Sequence, residues 1–545
     1  MQLLQKYKLP VNRSLTSEAR QSFLLGAACL GLVLTGLACL LVWEGAPAMS
    51  GRPWDLPASL DGAWRILHGQ APHRDFYSHL GAFPFWVTAL GMKLSHPCVS
   101  AIVYGNVVLM LLVGSTVFIV ACRRTSALYA FIFSLFLATL VVSPRPFGDP
   151  HDSINFAMHY NRLGEALLAL FSVLVFISPR PGVRRGWPEL LEAAFAGVLA
   201  TALWFTKLNY FTIAVVFLGI AAGLRFLQLR MALVCAISAL ASASVLLSLS
   251  HIPVGAMLRD FQIMAGAQSF ASKAAKTGML AVNYALLLPL LLLYTWERFC
   301  NEPGSSQRRW AALRDAAVLT AFFAGALLLI GSNHQVKELP LLATAALCGA
   351  ETIRRQRLPE QTDLLIVSTR NLAAFCLWLF FLLPTLTADL ESIRSQTLVV
   401  LKKRDASTDV LKTTNLADWR FDREGSGQRA DRDYAEFLDE GIQLLRRHCV
   451  PNKRLVVIMF ANPFHVALGL PPSAGGCISL VENTFNRRSH PPLQRLLADA
   501  DYLLADAGCG QLREVYGDEL DRIGLEKVEE AKYVVLFRRN KVPRP

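Results

Sequence analysis

Three aspartates, Asp55, Asp61 and Asp75, lie in one polar stretch from Glu44 to Ser100, together with His68, His73, Arg74 and His79. Carboxylates beside cations and aromatic rings can divide a transfer reaction between them. One carboxylate takes the proton of an attacking hydroxyl, while a cation neutralises a departing phosphate. The same charges also fit a plain solvated loop, and spacing alone leaves both readings open. A second polar stretch holds Asp149-Pro150-His151-Asp152, then His159 and Asn161-Arg162. Asp149, His151 and Asp152 could bind a divalent metal that clamps a phosphate, although short polar turns often have this composition. Arg162 heads an apolar run, where it could meet a phosphate or simply reach the lipid headgroups. Lys207 sits between two apolar runs, where an ionisable group is costly.

The elements that must position these residues are apolar blocks. Of the 545 residues 53% are hydrophobic and 17% charged, against about 25% charged in ordinary soluble domains. Lipid offers the backbone no hydrogen-bond partner, so a spanning helix needs ~20 mostly apolar residues. Eleven candidate spans follow: 22–43, 100–121, 126–143, 163–178, 190–206, 208–224, 231–250, 278–296, 313–331, 339–350 and 365–386. The first is too long for a signal-peptide core, which runs about 7–15 residues. It reads as a retained anchor preceded by Lys6, Lys8, Arg13 and Arg20, despite the faint cleavage pattern Ala46-Pro47-Ala48.

Basic clusters mark alternate gaps: Arg123-Arg124, then Arg180, Arg184 and Arg185, then Arg225 and Arg230. Arg298, Arg308 and Arg309 follow, then Arg354, Arg355 and Arg357. The positive-inside bias assigns those gaps and the N-terminus to the cytoplasm. The 44–99 loop and the tail then share the opposite, periplasmic face. This sidedness depends on a tight turn at Lys207-Leu208-Asn209, because a single kinked span over 190–224 would invert everything downstream. The formal net charge of +13 does not point to nucleic acid. From Asp389 onward 24 Lys and Arg face 23 Asp and Glu, so the excess lies in the membrane half. In the third outer loop Arg259, Lys273 and Lys276 fall on an amphipathic stretch, read as resting on headgroups or covering the site.

The division expected is a helical membrane domain over 1–388 and a small α/β domain over 389–545. Strands are expected at Arg454–Phe460, Asp501–Ala507 and Lys532–Arg539, and helices at Asp433–Arg447, Pro492–Ala500 and Gln511–Arg522. Residues 389 to 430 read as a polar linker, and Pro471 to Gly476 as a loop. The tail has no phosphate loop, nucleophile elbow or metal-ligand spacing. It is expected to recognise an acceptor or act as a scaffold, with His465 and His490 structural. The eleven cysteines form no CxxC pair, but Cys449, Cys477 and Cys509 would face an oxidising compartment, where two of them could bridge.

The loop order of Asp55, Gly69, Pro72-His73-Arg74-Asp75-Phe76, Gly81 and an apolar aromatic stretch over Phe83 to Leu94 resembles GT-C-type glycosyltransferases. The likeness is greatest to bacterial membrane proteins similar to the dolichyl-phosphate-mannose-dependent mannosyltransferases. Tyr160-Asn161-Arg162-Leu163-Gly164, Thr206-Lys207-Leu208-Asn209-Tyr210 and Asn333-His334-Gln335 also resemble elements of that group. The resemblance implies a multi-pass protein of the bacterial inner membrane. It implies inverting transfer of a sugar from a polyprenyl-phosphate donor to an envelope glycan, lipid or protein acceptor. Asp55 would be the catalytic base, with Asp61 as rival, and Asp75 the second acid. This chain has Leu56 where many relatives carry a second acid, and His79-Leu80-Gly81-Ala82-Phe83-Pro84 where many carry Lys-Pro-Pro. The phosphate contact would then fall to Arg74, His79, Arg162 or Lys207. A transporter or flippase subunit for a lipid-linked solute, and an inactive scaffold of the same architecture, remain as alternatives.

Overall fold

The computed structural model describes residues 13–51, 53–180, 186–267, 278, 306–331, 338–355, 364–424, 428–448, 453–482 and 484–540. Lys6, Lys8, Arg184, Arg185, Lys273, Lys276, Arg298, Arg357, Asn333-His334-Gln335, Cys449 and nearly all of stretch 278–296 lie outside them. The other ten apolar stretches are helical. They correspond to α1 (Arg13–Glu44), α4 (Ser100–Cys122), α5 (Ala127–Val142), α6 (His159–Phe176) and α7 (Trp187–Thr206). After these come α8 (Leu208–Gly223), α9 (Leu229–Ser250), α11 (Ser306–Gly331), α12 (Pro340–Arg355) and α13 (Leu364–Leu401). Two helices of the 44–99 loop, α2 (Leu56–Leu67) and α3 (Phe83–Leu94), and α10 (Val254–Ala267) complete this half.

Six of these helices are long and apolar enough to cross a bilayer, and α5 and α8 are shorter apolar helices. Their outward faces are greasy rather than charged. α1 buries Leu30, Leu34 and Leu41 and leaves Leu24, Leu25, Leu32, Val42 and Trp43 exposed, and α9 exposes Leu233, Ile237, Leu240, Val245 and Leu249. Such stripes are stable against lipid, which has no polar groups to prefer over them.

The turn at Lys207 is real. Lys207 leaves helical geometry (φ −165°, ψ 133°) between α7 and α8. Its ammonium donates to Asn161 Oδ1 at 3.3 Å, which places the end of α7 beside the start of α6. Tyr210 then packs on Gly164, and Phe217 meets Phe176 with ring centroids 5.2 Å apart, so α8 runs parallel to α6. The chain therefore reverses at Lys207, as the alternation of basic clusters requires.

The tail is an α/β unit with a sheet ordered β4 (Leu455–Ile458), β5 (Tyr502–Asp506), β7 (Val534–Arg539), β6 (Leu525–Glu530). β4 and β5 are parallel, and β7 is antiparallel to both β5 and β6. β6 reads Leu-Glu-Lys-Val-Glu-Glu, a partly exposed edge strand whose charged side chains hide it from an apolar-run search. Helices α14 (Gln428–His448), α15 (Phe464–Leu468), α16 (Leu493–Leu497), α17 (Gly510–Tyr516) and α18 (Asp518–Arg522) surround it. Residues 389–401 continue α13 rather than opening a linker, and a second small sheet follows. In it β1 (Ala48–Met49) of the 44–99 loop pairs parallel with β3 (Arg420–Asp422), which also pairs with β2 (Asp405–Ala406).

The 44–99 loop and the tail are thus one assembly. Besides that sheet, Tyr77 N–H donates to Gly476 O at 3.1 Å, Ile478 N–H to Tyr77 O at 3.1 Å, and the Trp64 indole to Leu470 O at 2.9 Å. Cysteines introduced at exposed Arg74 and Glu514 will react with a membrane-impermeant maleimide from the same side of the membrane. Labelling of the two from opposite sides would contradict the arrangement.

Candidate functional site

A short 3₁₀ turn, Pro53–Asp55, carries the chain from β1 into α2, and Pro57 in the first turn of that helix suits its entry. The turn leaves Asp55 facing a cavity of about 140 Å³. Ser59, His79, His159, Tyr160 and Lys207 share its wall, with Met264 of α10 and Phe460, Ser479 and Thr484 of the tail. Five chain regions far apart in sequence therefore meet in one cavity wall.

Burial pushes the Asp55 carboxyl up to about 6, although the Met158 amide hydrogen bond works against it. Desolvation disfavours the charged form, and that effect wins here. His79 lies opposite in character. Burial, with Lys207 and His73 nearby, lowers its imidazole to about 3, so it is neutral near pH 7. In that neutral form its ring can donate or accept one hydrogen bond. Its segment sits against the α7–α8 reversal because Gly81 has no side chain. A Cβ there would fall 2.0 Å from Phe205 O, and Gly81 N–H donates to Thr206 O at 3.3 Å. The Lys207 ammonium lies 5.1 Å from the Tyr160 ring centroid and donates to Asn161. An acid poised near neutrality and an ammonium thus line one partly aromatic cavity. Such a pair can take a proton from a hydroxyl and hold a phosphate oxygen.

The remaining sequence candidates sit elsewhere. Asp61 is fully buried in contact with the tail, accepting from Arg65 at 2.8 Å and from the Asn462 amide at 2.8 Å, with the His465 ring 3.3 Å away. Burial raises its carboxyl, but Arg65 and His465 outweigh that and hold it below the usual value. Asp75 accepts from Arg74 at 2.6 Å and from the Ala71 amide at 2.7 Å, which ties its own turn together at the surface. Arg162 does not line the cavity. It makes a two-pronged pair with Asp389 at 3.0 and 2.8 Å and donates to Arg145 O at 2.5 Å. His151 and Asp152 are exposed, and among the described residues no three His, Cys, Asp or Glu side chains gather as a metal set. Cys477 and Cys509 are buried free thiols, so no bridge joins them. On α10, Met257, Asp260, Phe261 and Met264 are buried. Asp260 pairs with His73 at 3.0 Å and with Arg495 of the tail at 2.5 Å. That face of α10 is turned to the loop and tail, with Met264 on the cavity, while Arg259 is exposed.

Sequence reasoning missed two groups. Ser479 and Thr484 come from the tail, and no spacing rule could link them to Asp55. The buried Arg145–Glu338–Asp389–Arg162 network joins two helices and two connecting segments, with Arg145 at 2.7 Å from Glu338 and 3.1 Å from Asp389. Intramembrane-facing acids near the ends of apolar runs were its only signal.

No model of a known protein family matches the chain, and no curated protein matches it. Among solved structures, ArnT from Cupriavidus metallidurans in the apo state aligns over 95% of this chain and 98% of its own, at 12% identity and a TM-score of 0.46. ArnT bound to undecaprenyl phosphate aligns over 94% of this chain and 98% of its own, at 12% identity and a TM-score of 0.43. The Archaeoglobus fulgidus oligosaccharyltransferase in complex with Zn and sulfate aligns over 93% of this chain and 73% of its own, at 11% identity and a TM-score of 0.35.

The geometry separates structural acids from a cavity acid by stability. Asp61→Ala strands the Arg65 guanidinium in the interior, and thermal unfolding in detergent will show a loss of about 3–5 kcal/mol. Asp55→Asn removes no ion pair and will leave the melting temperature within a few degrees of the parent. Equal losses in both variants would refute the distinction.

Proposed function

We propose that this chain is an integral-membrane glycosyltransferase of GT-C type. It moves a sugar from a polyprenyl-phosphate donor to a hydroxyl of an envelope glycan, lipid or protein, on the outer face of the membrane. The observation that carries this reading is the cavity itself. Asp55, of the three loop acids, shares it with Lys207 at the membrane-side turn, and the tail domain closes it.

In this reading the acceptor hydroxyl oxygen attacks the anomeric carbon from the face opposite the phosphate. The carbon–oxygen bond to phosphate breaks, and the polyprenyl phosphate leaves with its electron pair. The hydroxyl proton passes to Asp55. Lys207 meets the charge that grows on the leaving phosphate, with Tyr160 and Asn161 holding the ammonium in place. Neutral His79 supplies a hydrogen bond to donor or acceptor. Lys207 takes the place of the lysine that the loop motif lacks, reaching the cavity from a different element. Asp61 and Asp75 act by holding the loop, and Arg162 by joining α6 to α13.

The pH dependence follows from the Asp55 carboxyl, raised by burial to about 6. A general base works when ionised, so its active fraction rises with pH through about 6. Below that value the rate should fall about tenfold per pH unit. Transfer assays in membranes with a panel of polyprenyl-phosphate sugars will show Asp55→Asn reduced by about 10²–10⁴-fold. Lys207→Met will be reduced by about 10²–10³-fold, with its folding checked by thermal unfolding. Asp75→Asn will keep most of its activity. Full activity in Asp55→Asn would remove it as the base, and no transfer by the parent from any donor would return the transporter and scaffold readings.

A further inference from the structure

A second cavity, of about 340 Å³, opens between the first outer loop and the tail. Its volume falls in the range of small-molecule sites, about 300–1,000 Å³. Trp54, Tyr434, Phe437 and Tyr533 give it aromatic walls, and Asp433 and Asp506 contribute carboxylates. It lies beside the Asp55 cavity, for two reasons. Trp54 precedes Asp55 in the same 3₁₀ turn, and Phe460 lines both cavities.

Its place in the tail sheet is also telling. Met459, Phe460 and Ala461 follow directly on β4, and Asp506 is the last residue of β5. β4 and β5 are adjacent and parallel, so the cavity lies at the carboxyl ends of two parallel strands. Ligands of open α/β sheets bind at that end, where strands stop and their following loops diverge. We propose that this cavity binds a pyranose ring of the acceptor glycan and presents its neighbouring hydroxyl to Asp55.

The chemistry matches that ligand class. A pyranose has apolar C–H faces, which aromatic rings cover, and equatorial hydroxyls, which carboxylates accept from. Trp54 and Tyr434 pack edge to face with centroids 4.8 Å apart, so one aromatic wall is rigid. Tyr533 is held at the rim by its hydroxyl, which donates to Glu436 at 3.1 Å, and by its amide, which donates to Glu440 at 2.6 Å. Asp506 has no cation or hydrogen-bond donor among the described residues, and burial alone pushes its carboxyl up to about 6. It is a half-buried acceptor facing the cavity, available to a ligand hydroxyl. The tail thereby gains a role in transfer without chemistry of its own.

This inference rests on the transferase reading for its meaning, so its test uses binding, which needs no transfer. Saturation-transfer NMR on the full chain in detergent would use the methyl glycosides of glucose, galactose, mannose and N-acetylglucosamine at millimolar concentration. At least one will receive saturation at its ring protons. Asp506→Ala will weaken that binding about tenfold, the loss expected for a hydrogen bond to a charged group. Trp54→Ala will weaken it severalfold, and Asp506→Asn serves if either variant melts early. No saturation from any glycoside, or saturation unchanged in Asp506→Ala, Asp506→Asn and Trp54→Ala, overturns the subsite and leaves the transferase reading standing.

Discussion

The Arg65 guanidinium is buried, and where its donors point determines where the tail domain sits. It pairs with Asp61 on its own helix and donates to Ser473 O and Gly475 O across the domain boundary. Its plane also covers the Phe76 ring, 4.9 Å from the centroid. A charge of this kind is costly to bury unless such partners are in place. The contact brings segments about 400 residues apart into one register.

From that junction the two cavities follow. With the tail docked on α2, Phe460, Ser479 and Thr484 close the space over Asp55, and Trp54 meets Tyr434. Enclosure is what raises the Asp55 carboxyl, since water that would solvate the ion is displaced. The tail thus shares in the burial that raises the carboxyl of a residue it does not contain. On the membrane side the reversal at Lys207 does the complementary work. It breaks two apolar helices at the one ionisable residue between them and delivers an ammonium to the same space.

Three buried charge groups, each built differently, secure this arrangement. Asp61–Arg65–His465 holds loop to tail, and His73–Asp260–Arg495 holds both to α10. Arg162–Asp389–Arg145–Glu338 holds the helix bundle beneath. Loop acids and cations that look equivalent by type and spacing are therefore divided between joints and the lining of a cavity.

The helices were legible because a lipid-exposed helix needs an uninterrupted apolar run, and that need is written residue by residue. So were β4, β5 and β7, whose apolar runs fill a core. β6 was not, because a charged edge strand is defined by its neighbour's hydrogen bonds and not by its own pattern. The short sheet joining β1 to β3 escaped for the same reason. Asp55, Asp61 and Asp75 were all visible as candidates, and so were Arg162 and Lys207, but their types and spacings could not rank them. Ranking depends on desolvation and on partners, and those come from residues such as Asn462, His465 and Asp389, hundreds of positions away. Sequence determined which groups were available at the membrane's edge. Only the folded chain decided which carboxylate was paired and which was left in an enclosed cavity, because a pairwise contact between distant segments has no local signature.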